Sequence, residues 1–352
     1  MKKFISLVCI IKNEDYLEEF ILYHYLIGVQ HFYIYDNEST IPIFKRLNHY
    51  LYHQICTVIP FPGKVKQLDA YNHCINNFKN KTEWLVIIDG DEYILPKIHE
   101  NLTDFLKSYN QYRAIGVNWI NFGSNHHQKK QDGILMKNYT LCEAVQNKHI
   151  KTICKPEHVL KIVNPHYVVL HGGTNGYVDS KKRELTTKFF NEKYTIDIIQ
   201  INHYWGKSYQ EMKDKIDRGR ATMNSKRTMP PNYNELFNDR EDTLIIEKYY
   251  NDLNYLIEAL KVHPLLYKTL NPDLEKVLGN HLDAYTKHLV DNGIKEKRPY
   301  KIQHLFHDFN VDIYRENYND LNKLSEIELI HHYLEYGKTE GRVYNKKLSD
   351  KS

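Results

Sequence analysis

The sequence contains no apolar run near its N-terminus long enough to cross a membrane. The run Phe4 to Ile11 has eight residues, whereas a membrane-spanning helix needs about 20. It is also too short for the apolar core of a signal peptide followed by a cleavage site. We therefore predict that the run is a buried strand, that the protein has no transmembrane segment and that it is cytoplasmic.

The sequence also lacks paired cysteines. It has five, an odd number, and none of them forms a Cys-x-x-Cys pair; they are Cys9, Cys56, Cys74, Cys142 and Cys154. A disulfide framework or a zinc site uses regularly spaced pairs. The pattern predicts reduced, buried thiols.

The sequence also has no large excess of positive or negative charge, and it lacks the common nucleotide-binding and hydrolase motifs. The net charge is only +4 over 352 residues, and no basic stripe indicates a nucleic-acid partner. No Walker A loop, His-Glu-x-x-His or Gly-x-Ser-x-Gly is present. Hydrophobic residues at 41% and charged residues at 26% are typical of a folded protein. A length of 352 residues is enough for about two structural units.

The first hundred residues alternate between strand and helix patterns. The apolar positions of the first helix, from Leu17 to Ile27, recur at steps of three and four, and Gly28 is placed to end it. Helical spacing returns at 64–79. The predicted strands are 4–11, 31–35, 55–61 and 84–88. Strands that alternate with helices predict an α/β fold with a doubly wound, Rossmann-like parallel sheet, in which ligands bind beyond the carboxyl ends of the strands.

The remaining sequence predicts an appended helical region. Residues 113–206 are rich in loops and strand patterns, with predicted strands at 114–119, 167–170 and 196–201. Residues 208–290 have helical spacing, and a charged break at Lys295 to Pro299 precedes a helical tail. We predict a catalytic domain at 1–225, a helical extension at 226–298 and a small helical C-terminal module at 299–352.

The strongest chemical signal is Asp89-Gly-Asp91 after the fourth predicted strand. Two carboxylates separated by a glycine can share Mg²⁺ or Mn²⁺ with a diphosphate, although an isolated Asp-Gly-Asp is also typical of a simple turn. Asp36 follows the second strand. Because parallel strands end at the same edge of a sheet, we expect Asp36 and Asp89 to face one crevice.

A strand followed by Asp-x-Asp also begins phosphohydrolases of the haloacid dehalogenase type. In those enzymes a Thr or Val stands two residues after the second Asp, where this chain has Tyr93. Their motif also lies on the first strand of the domain rather than the fourth. We keep this function as an alternative.

Four segments together carry a family resemblance. They are Lys12-Asn-Glu14, Tyr35 to Thr40, Gln67 to Asn72 and Trp84 to Tyr93. They resemble the GT-A nucleotide-sugar domain of family 2 glycosyltransferases, in particular a subgroup related to family 92. The resemblance implies a UDP-sugar donor, with a diphosphate bridged by metal at Asp89 and Asp91. It also implies that Asp36 contacts the uracil and that Asn13 and Glu14 bind the donor.

A second block, Asn202 to Ser208 with Glu211, Lys215 and Arg218, is similar to a stretch of the same subgroup. An imidazole beside two carboxylates can complete a metal site, which assigns that role to His203. Lys207 can neutralise the diphosphate leaving group. The following helix is expected to form Glu211/Lys215 and Asp214/Arg218 pairs at a spacing of four.

An inverting glycosyltransferase needs a carboxylate that deprotonates the acceptor hydroxyl. By position the candidates are Glu143, Glu157, Asp179 and Glu184. We select Glu143, because related sequences carry an acidic residue at the place that Tyr139 to Glu143 occupies.

The resemblance thus implies transfer of a hexose from a UDP-sugar to a hydroxyl of a glycan or protein-linked acceptor, with Mn²⁺ or Mg²⁺ and with inversion. A non-catalytic glycan-binding relative is a further alternative. The tail from Asp312 to Arg342 resembles helical segments attached to bacterial and giant-virus glycosyltransferases. A viral origin would place the protein in the host cytoplasm or the virion.

Overall fold

The computed structural model describes residues 2–186, 189–219 and 227–348. The chain divides into two compact units, Met1–Leu253 and Asn254–Ser352. The predicted boundary between residues 225 and 226 lies outside the described residues, and the second unit contains residues on both sides of the predicted boundary at 298. The three-domain division remains a prediction.

Thirteen strands occur in the described residues, all in the first unit. They are β1 (Lys3–Ile11), β2 (His31–Asp36), β3 (Cys56–Pro60), β4 (Thr82–Ile87), β5 (Glu92–Pro96), β6 (Ala114–Asn121), β7 (Leu141–Cys142), β8 (Ile150–Cys154), β9 (Val159–Asn164), β10 (Tyr167–Leu170), β11 (Tyr177–Asp179), β12 (Ile199–His203) and β13 (Arg240–Glu241).

Twelve α-helices occur in the same described ranges. They are α1 (Leu17–Leu26), α2 (Ile43–Arg46), α3 (Gln67–Phe78), α4 (Leu102–Lys107), α5 (Leu135–Asn138), α6 (Tyr209–Arg218), α7 (Leu244–Lys261), α8 (Pro264–Leu270), α9 (Glu275–Leu278), α10 (Leu282–Asn292), α11 (Val311–Glu316) and α12 (Glu326–His332). Short 3₁₀ or π turns lie at Leu51–Ile55, Lys79–Lys81, Pro156–His158, Pro272–Leu274, Ile302–His304, Asn319–Leu321 and Tyr333–Gly337. None of the helices in the described ranges is long and apolar enough to span a membrane.

Nine strands form one mixed sheet in the order β3-β2-β1-β4-β8-β6-β12-β5, and β11 pairs with the start of β6. The first four strands of the chain are parallel to one another, which confirms the parallel arrangement predicted for them and the α/β class. β8 runs antiparallel to both β4 and β6. The result is a mixed α/β unit consistent with a Rossmann-like domain.

The central strand β1 is buried because its sequence is apolar on both faces. Leu7 and Val8 are adjacent and fully buried, so one side chain on each face of the strand is removed from water. Tyr71 and Cys74 of α3 join Val8 in one cluster of the core. All five cysteines are free and buried, as predicted.

The turn at Gly28 returns the chain from α1 to the sheet. Gly28 has φ +111°, and a Cβ there would lie 2.4 Å from the Thr103 hydroxyl. Only glycine meets both conditions without strain. The helix therefore ends where the sequence predicts, and β2 begins three residues later beside β1.

The second unit is helical, as the sequence predicts for its range. One of its clusters packs Leu270 of α8 with Tyr314 of α11 and Leu329 of α12. A second cluster packs Tyr267 of α8 with Tyr285 of α10. The helices on both sides of residue 298 therefore share α8 in their packing.

Candidate active site

The loop between β4 and β5 directs its two aspartates to different partners. The backbone N–H of Glu92 donates to the carbonyl oxygen of Asp89 (3.1 Å), and the N–H of Asp89 donates to the carboxylate of Glu92 (2.8 Å). A Cβ on Gly90 would lie 2.5 Å from Cδ1 of Ile11. A side chain at position 90 would therefore displace the end of the Ile11 side chain, so the bend packs closely against β1.

Asp89 is held by three donors. Its oxygens accept from Lys151 Nζ (2.7 Å), Gln67 Nε2 (2.5 Å) and the Tyr71 hydroxyl (3.0 Å). Lys151 lies on β8, is 1% exposed and also pairs with Glu92 at 3.3 Å. Burial raises the pKa of Asp89, but the Lys151 ammonium outweighs it and keeps that pKa below its usual value. Burial raises the pKa of Glu92 to about 8.

Asp91 faces a second set of charges. One carboxylate oxygen accepts from Lys215 Nζ of α6 (2.6 Å), and the other lies 3.7 Å from His203 Nε2 at the end of β12. Burial raises the pKa of Asp91, but Lys215 and then His203 outweigh it and leave the pKa well below its ordinary value. Asp91 is therefore an ionised carboxylate at neutral pH.

Asp91 lines a cleft whose walls carry many charges. Glu14 and Lys207 form an ion pair across it at 2.5 Å, and Lys207 Nζ lies 4.7 Å from the centre of the Tyr16 ring. The described residues that line the cleft are Asn13, Glu14, Asp15, Asp91, Trp205, Lys207, Glu211, Met212, Asp214, Lys215 and Arg218. Five of these described residues are carboxylates and three are cations, so negative charge is in excess among them, which disfavours binding of a bare phosphate.

Helix α6 carries one wall of this cleft and is fixed at both ends. At its start Ser208 accepts from the N–H of Glu211 (3.3 Å), while the Glu211 carboxylate accepts from the N–H of Ser208 (3.2 Å). This capping box satisfies two backbone donors. At its end Arg218 donates to the carbonyl oxygens of Lys12 (2.8 Å) and Asn13 (2.9 Å).

The predicted ion pairs along α6 are wrong. Lys215 reaches Asp91 instead of Glu211, and Arg218 reaches the chain after β1 instead of Asp214. The cause is burial: Lys215 is removed from water beside the ionised Asp91, and a charge in such a place needs a partner there. Arg220, at the end of the same block, lies outside the described residues.

His203 is the last residue of β12. The sequence places this strand at 196–201, and the structure has it at Ile199–His203. Burial lowers the pKa of His203 to about 4, so its imidazole is neutral at pH 7 and its nitrogens can bind a metal. Nδ1 of His203 is buried without a hydrogen-bond partner among the described residues. The ring of Trp119 lies 4.8 Å from the His203 ring.

Asp36 and Asn13 organise the loops after β2 and β1. The Asp36 carboxylate accepts from the N–H groups of Ser39 and Ile43, both at 3.0 Å. Asn13, with φ +52°, exchanges hydrogen bonds with Thr40 at 2.7 and 3.1 Å. Neither Asp36 nor Asp89 is among the described residues that line the Asp91 cleft. The expectation that Asp36 and Asp89 face one crevice stays a prediction.

Of the four candidate bases, Glu143 is the one that is buried and also lines a cavity. It is 8% exposed, and its carboxylate accepts from the backbone N–H (2.7 Å) and the side-chain amide (3.3 Å) of Asn121. Burial raises its pKa. Glu157 pairs with Lys2 at the surface, Asp179 pairs with Arg183, and Glu184 is exposed.

The arrangement fits a cation at Asp91 and His203, but not at all three predicted ligands. Among the residues that the structure describes, no three His, Cys, Asp or Glu side chains are grouped to hold a metal. Asp89 instead accepts from Lys151, Gln67 and Tyr71. Asp91 Oδ1 and His203 Nε2 face each other at 3.7 Å. Mg²⁺ in proteins is usually bound by one or two carboxylates and completes its shell with water and substrate phosphates, so Asp91 is the stronger candidate ligand of the two.

The sequence prediction missed Lys151 as a site residue. Its signal was a lysine inside the otherwise strand-like Ile150 to Cys154, because a buried strand admits a charge only beside a counter-charge. Gln67 and Tyr71 gave a weaker signal: they lie four residues apart, which places them on one face of a helix.

Comparison with known families decides the classification. The model of glycosyltransferase family 92 matches residues 6–242. The chain belongs to glycosyltransferase family 92. The match includes every cleft residue named above and ends before the second unit begins.

Two curated relatives carry the same family name. The chain is 28% identical over 212 residues to a family 92 protein of Oryza sativa subsp. japonica, which covers 59% of this chain and 34% of the relative. It is 27% identical over 214 residues to a family 92 protein of Ricinus communis, which covers 59% and 36%. The chain thus spans about a third of the length of these relatives. Family 92 membership supports a glycosyltransferase and removes the reason to retain the phosphohydrolase alternative.

Proposed function

We propose that this protein transfers a hexose from a UDP-sugar to a hydroxyl of a glycan or protein-linked acceptor, with Mn²⁺ or Mg²⁺ and with inversion, in a GT-A domain. The observation that carries the proposal is the pair of Asp91 and His203 beside a cleft with more carboxylates than cations. Such a cleft repels a bare diphosphate, and a divalent cation would reverse that balance.

The residues at and beside the cleft have different proposed roles. Asp91 and His203 would hold the cation, which supplies charge stabilisation at the diphosphate. Lys207 and Lys215 line the same cleft and would bind the phosphate oxygens as the negative charge grows. Asp89 is fixed by Lys151 and would orient the loop that carries Asp91.

Asp36 and Asn13 are the proposed contacts of the nucleoside, with Glu14 holding Lys207. The two oxygens of Asp36 each accept one backbone N–H. A carboxylate has about four lone-pair positions, so Asp36 keeps acceptor capacity for the uracil N–H.

The proposed chemistry is a direct displacement. The acceptor hydroxyl oxygen forms a bond to the anomeric carbon while the bond from that carbon to the phosphate oxygen breaks. The hydroxyl proton passes to Glu143, and UDP leaves with the electron pair of the broken bond. Burial, which raises the pKa of Glu143, makes its carboxylate a stronger proton acceptor.

A panel of UDP-sugars with Mn²⁺, scored by release of UDP, tests this proposal. We expect turnover of at least one donor, loss of turnover with a chelator, and loss in Asp91→Asn. The matched control is Asp197→Asn, because Asp197 pairs with Lys181 at the surface, away from the cleft. Full turnover by Asp91→Asn would overturn the proposed metal ligand, and binding of sugar without UDP release would favour a non-catalytic glycan-binding protein.

A further inference from the structure

A second cavity lies beside Glu143 in the first unit. Its volume is about 420 Å³, and its lining includes Glu143, Gln146, Asn147, His149, Phe190 and Glu192. Small-molecule sites are typically about 300–1,000 Å³, so one or two sugar rings fit in it. The cavity is separate from the donor cleft, because no described residue lines both. The role proposed for the donor cleft therefore assigns no role to this cavity.

The side chains around the cavity suit an uncharged sugar. Carboxylate oxygens accept hydrogen bonds from sugar hydroxyls, and side-chain amides both donate to and accept from them. The rings of His149 and Phe190 meet at 4.6 Å, nearly edge to face. Lys148 also lines the cavity, but it is paired with Glu192 at 2.6 Å. Among its described lining residues the cavity thus has two carboxylates and one cation, and the cation is paired with one of the carboxylates, which disfavours an anionic ligand.

The ring of Trp119 connects a residue of this cavity to the pair of Asp91 and His203. Trp119 stacks on His149, which lines the cavity, with centroids 5.1 Å apart and planes at 15°. It also contacts His166 at 5.1 Å and His203 at 4.8 Å, and His203 lies 3.7 Å from Asp91. Nε1 of Trp119 is buried and lacks a hydrogen-bond partner among the described residues.

The end of β6 connects the two sites a second time. Asn121 pairs with His203 across the parallel strands β6 and β12. The same residue donates its backbone and side-chain N–H groups to Glu143. Asn121 therefore contacts both the carboxylate of the cavity and the strand residue whose imidazole lies beside Asp91.

We propose that this cavity is the acceptor subsite and that it takes the ring of an uncharged sugar, stacked on Phe190 with hydroxyls at Glu143 and Asn147. The inference rests on the proposed glycosyl transfer and adds the place and chemical class of the acceptor. It also explains why Glu143 lies on the opposite side of β6 from β12.

Binding of simple glycosides tests the subsite without turnover. The probes are the methyl glycosides of glucose, galactose, mannose, fucose and N-acetylglucosamine, with methyl glucuronide as the anionic counterpart, each titrated by saturation-transfer NMR. We expect at least one uncharged glycoside to bind better than the glucuronide. Phe190→Leu keeps most of the apolar volume but removes the flat ring, and we expect Kd to rise about tenfold, which corresponds to about 1.4 kcal/mol.

Two further variants distinguish a loss of glycoside binding from a folding defect. Phe44→Leu is the matched control, because Phe44 is an exposed ring of the first unit that does not line the cavity; its Kd should stay near that of the wild type. Val145 is 73% exposed at the cavity, so Val145→Trp is expected to fold and to weaken glycoside binding by filling the opening.

Three results would overturn the acceptor subsite: no uncharged glycoside binds, Phe190→Leu and Val145→Trp bind as the wild type does, or the glucuronide binds best. Calorimetry of UDP with Mn²⁺ on the same wild-type protein tests the donor cleft separately. UDP binding without glycoside binding overturns the subsite and leaves the proposed transfer in place. Glycoside binding without UDP binding overturns the proposed transfer and with it the acceptor role of the cavity.

Discussion

Replacement of Lys151 by methionine tests the charge cluster beneath the Asp89 loop. The substitution leaves the carboxylate of Asp89 with only Gln67 and Tyr71 as donors. Removing one partner of a buried ion pair costs about 3–5 kcal/mol of unfolding free energy. The Asp89 side chain is 34% exposed and Glu92 can remain protonated, so we expect the lower end, about 3 kcal/mol.

Urea unfolding followed by tryptophan fluorescence measures this loss in the first unit, because all three tryptophans of the chain lie there. With m of about 3 kcal/mol/M, the midpoint should fall by about 1 M. The control is Lys151→Met combined with Asp89→Asn, which removes the uncompensated charge and should recover at least half of the loss. A loss below about 1 kcal/mol, or a double variant no more stable than Lys151→Met, would refute the assignment of Lys151 as the counter-ion of Asp89.

Three other expectations concern the cleft, its helix and the core. Asp91→Asn should weaken UDP binding in the presence of Mn²⁺ by about tenfold or more, because a ligand to the cation is lost; equal affinity in calorimetry would contradict this. Ser208→Ala should lower the unfolding free energy by about 1 kcal/mol through loss of the helix cap, and an unchanged urea midpoint would count against the capping box. Burial lowers the pKa of His24 to about 3, below the unfolded value of about 6.5. Below about pH 6.5 the unfolded state therefore binds a proton at His24 that the native state does not bind. The free energy of unfolding should fall for this reason by about 1.4 kcal/mol per pH unit from about pH 6.5 down to about pH 3. Urea midpoints at pH 7 and pH 5 check this, and His24→Gln should reduce the slope.

The parallel half of the sheet could be predicted because its signals are local. The apolar run at 4–11, the helix that ends at Gly28 and the strands that end at Asp36 and before Asp89 all lie in short windows. Burial on both faces of β1 leaves a continuous apolar pattern, and a positive φ leaves a glycine.

The antiparallel half and much of the site could not be predicted in this way. β8 inserts between β4 and β6 over sixty residues after β4, and no local pattern encodes that pairing. The partners of Lys151 and Lys215 could not be predicted, because the fold alone places Asp89 beside the first and Asp91 beside the second. The predicted metal, nucleoside and base residues remain predictions, with Asp91 and His203 now placed 3.7 Å apart.

The contacts of Arg218 with the chain after β1 do not depend on the side chains of the residues that it binds. Its guanidinium binds the carbonyl oxygens of Lys12 and Asn13, which every amino acid possesses. Residue 12 can therefore be exchanged without loosening the α6 wall, and a fluorophore introduced at that position would report on ligand entry while the anchor beneath it stays intact.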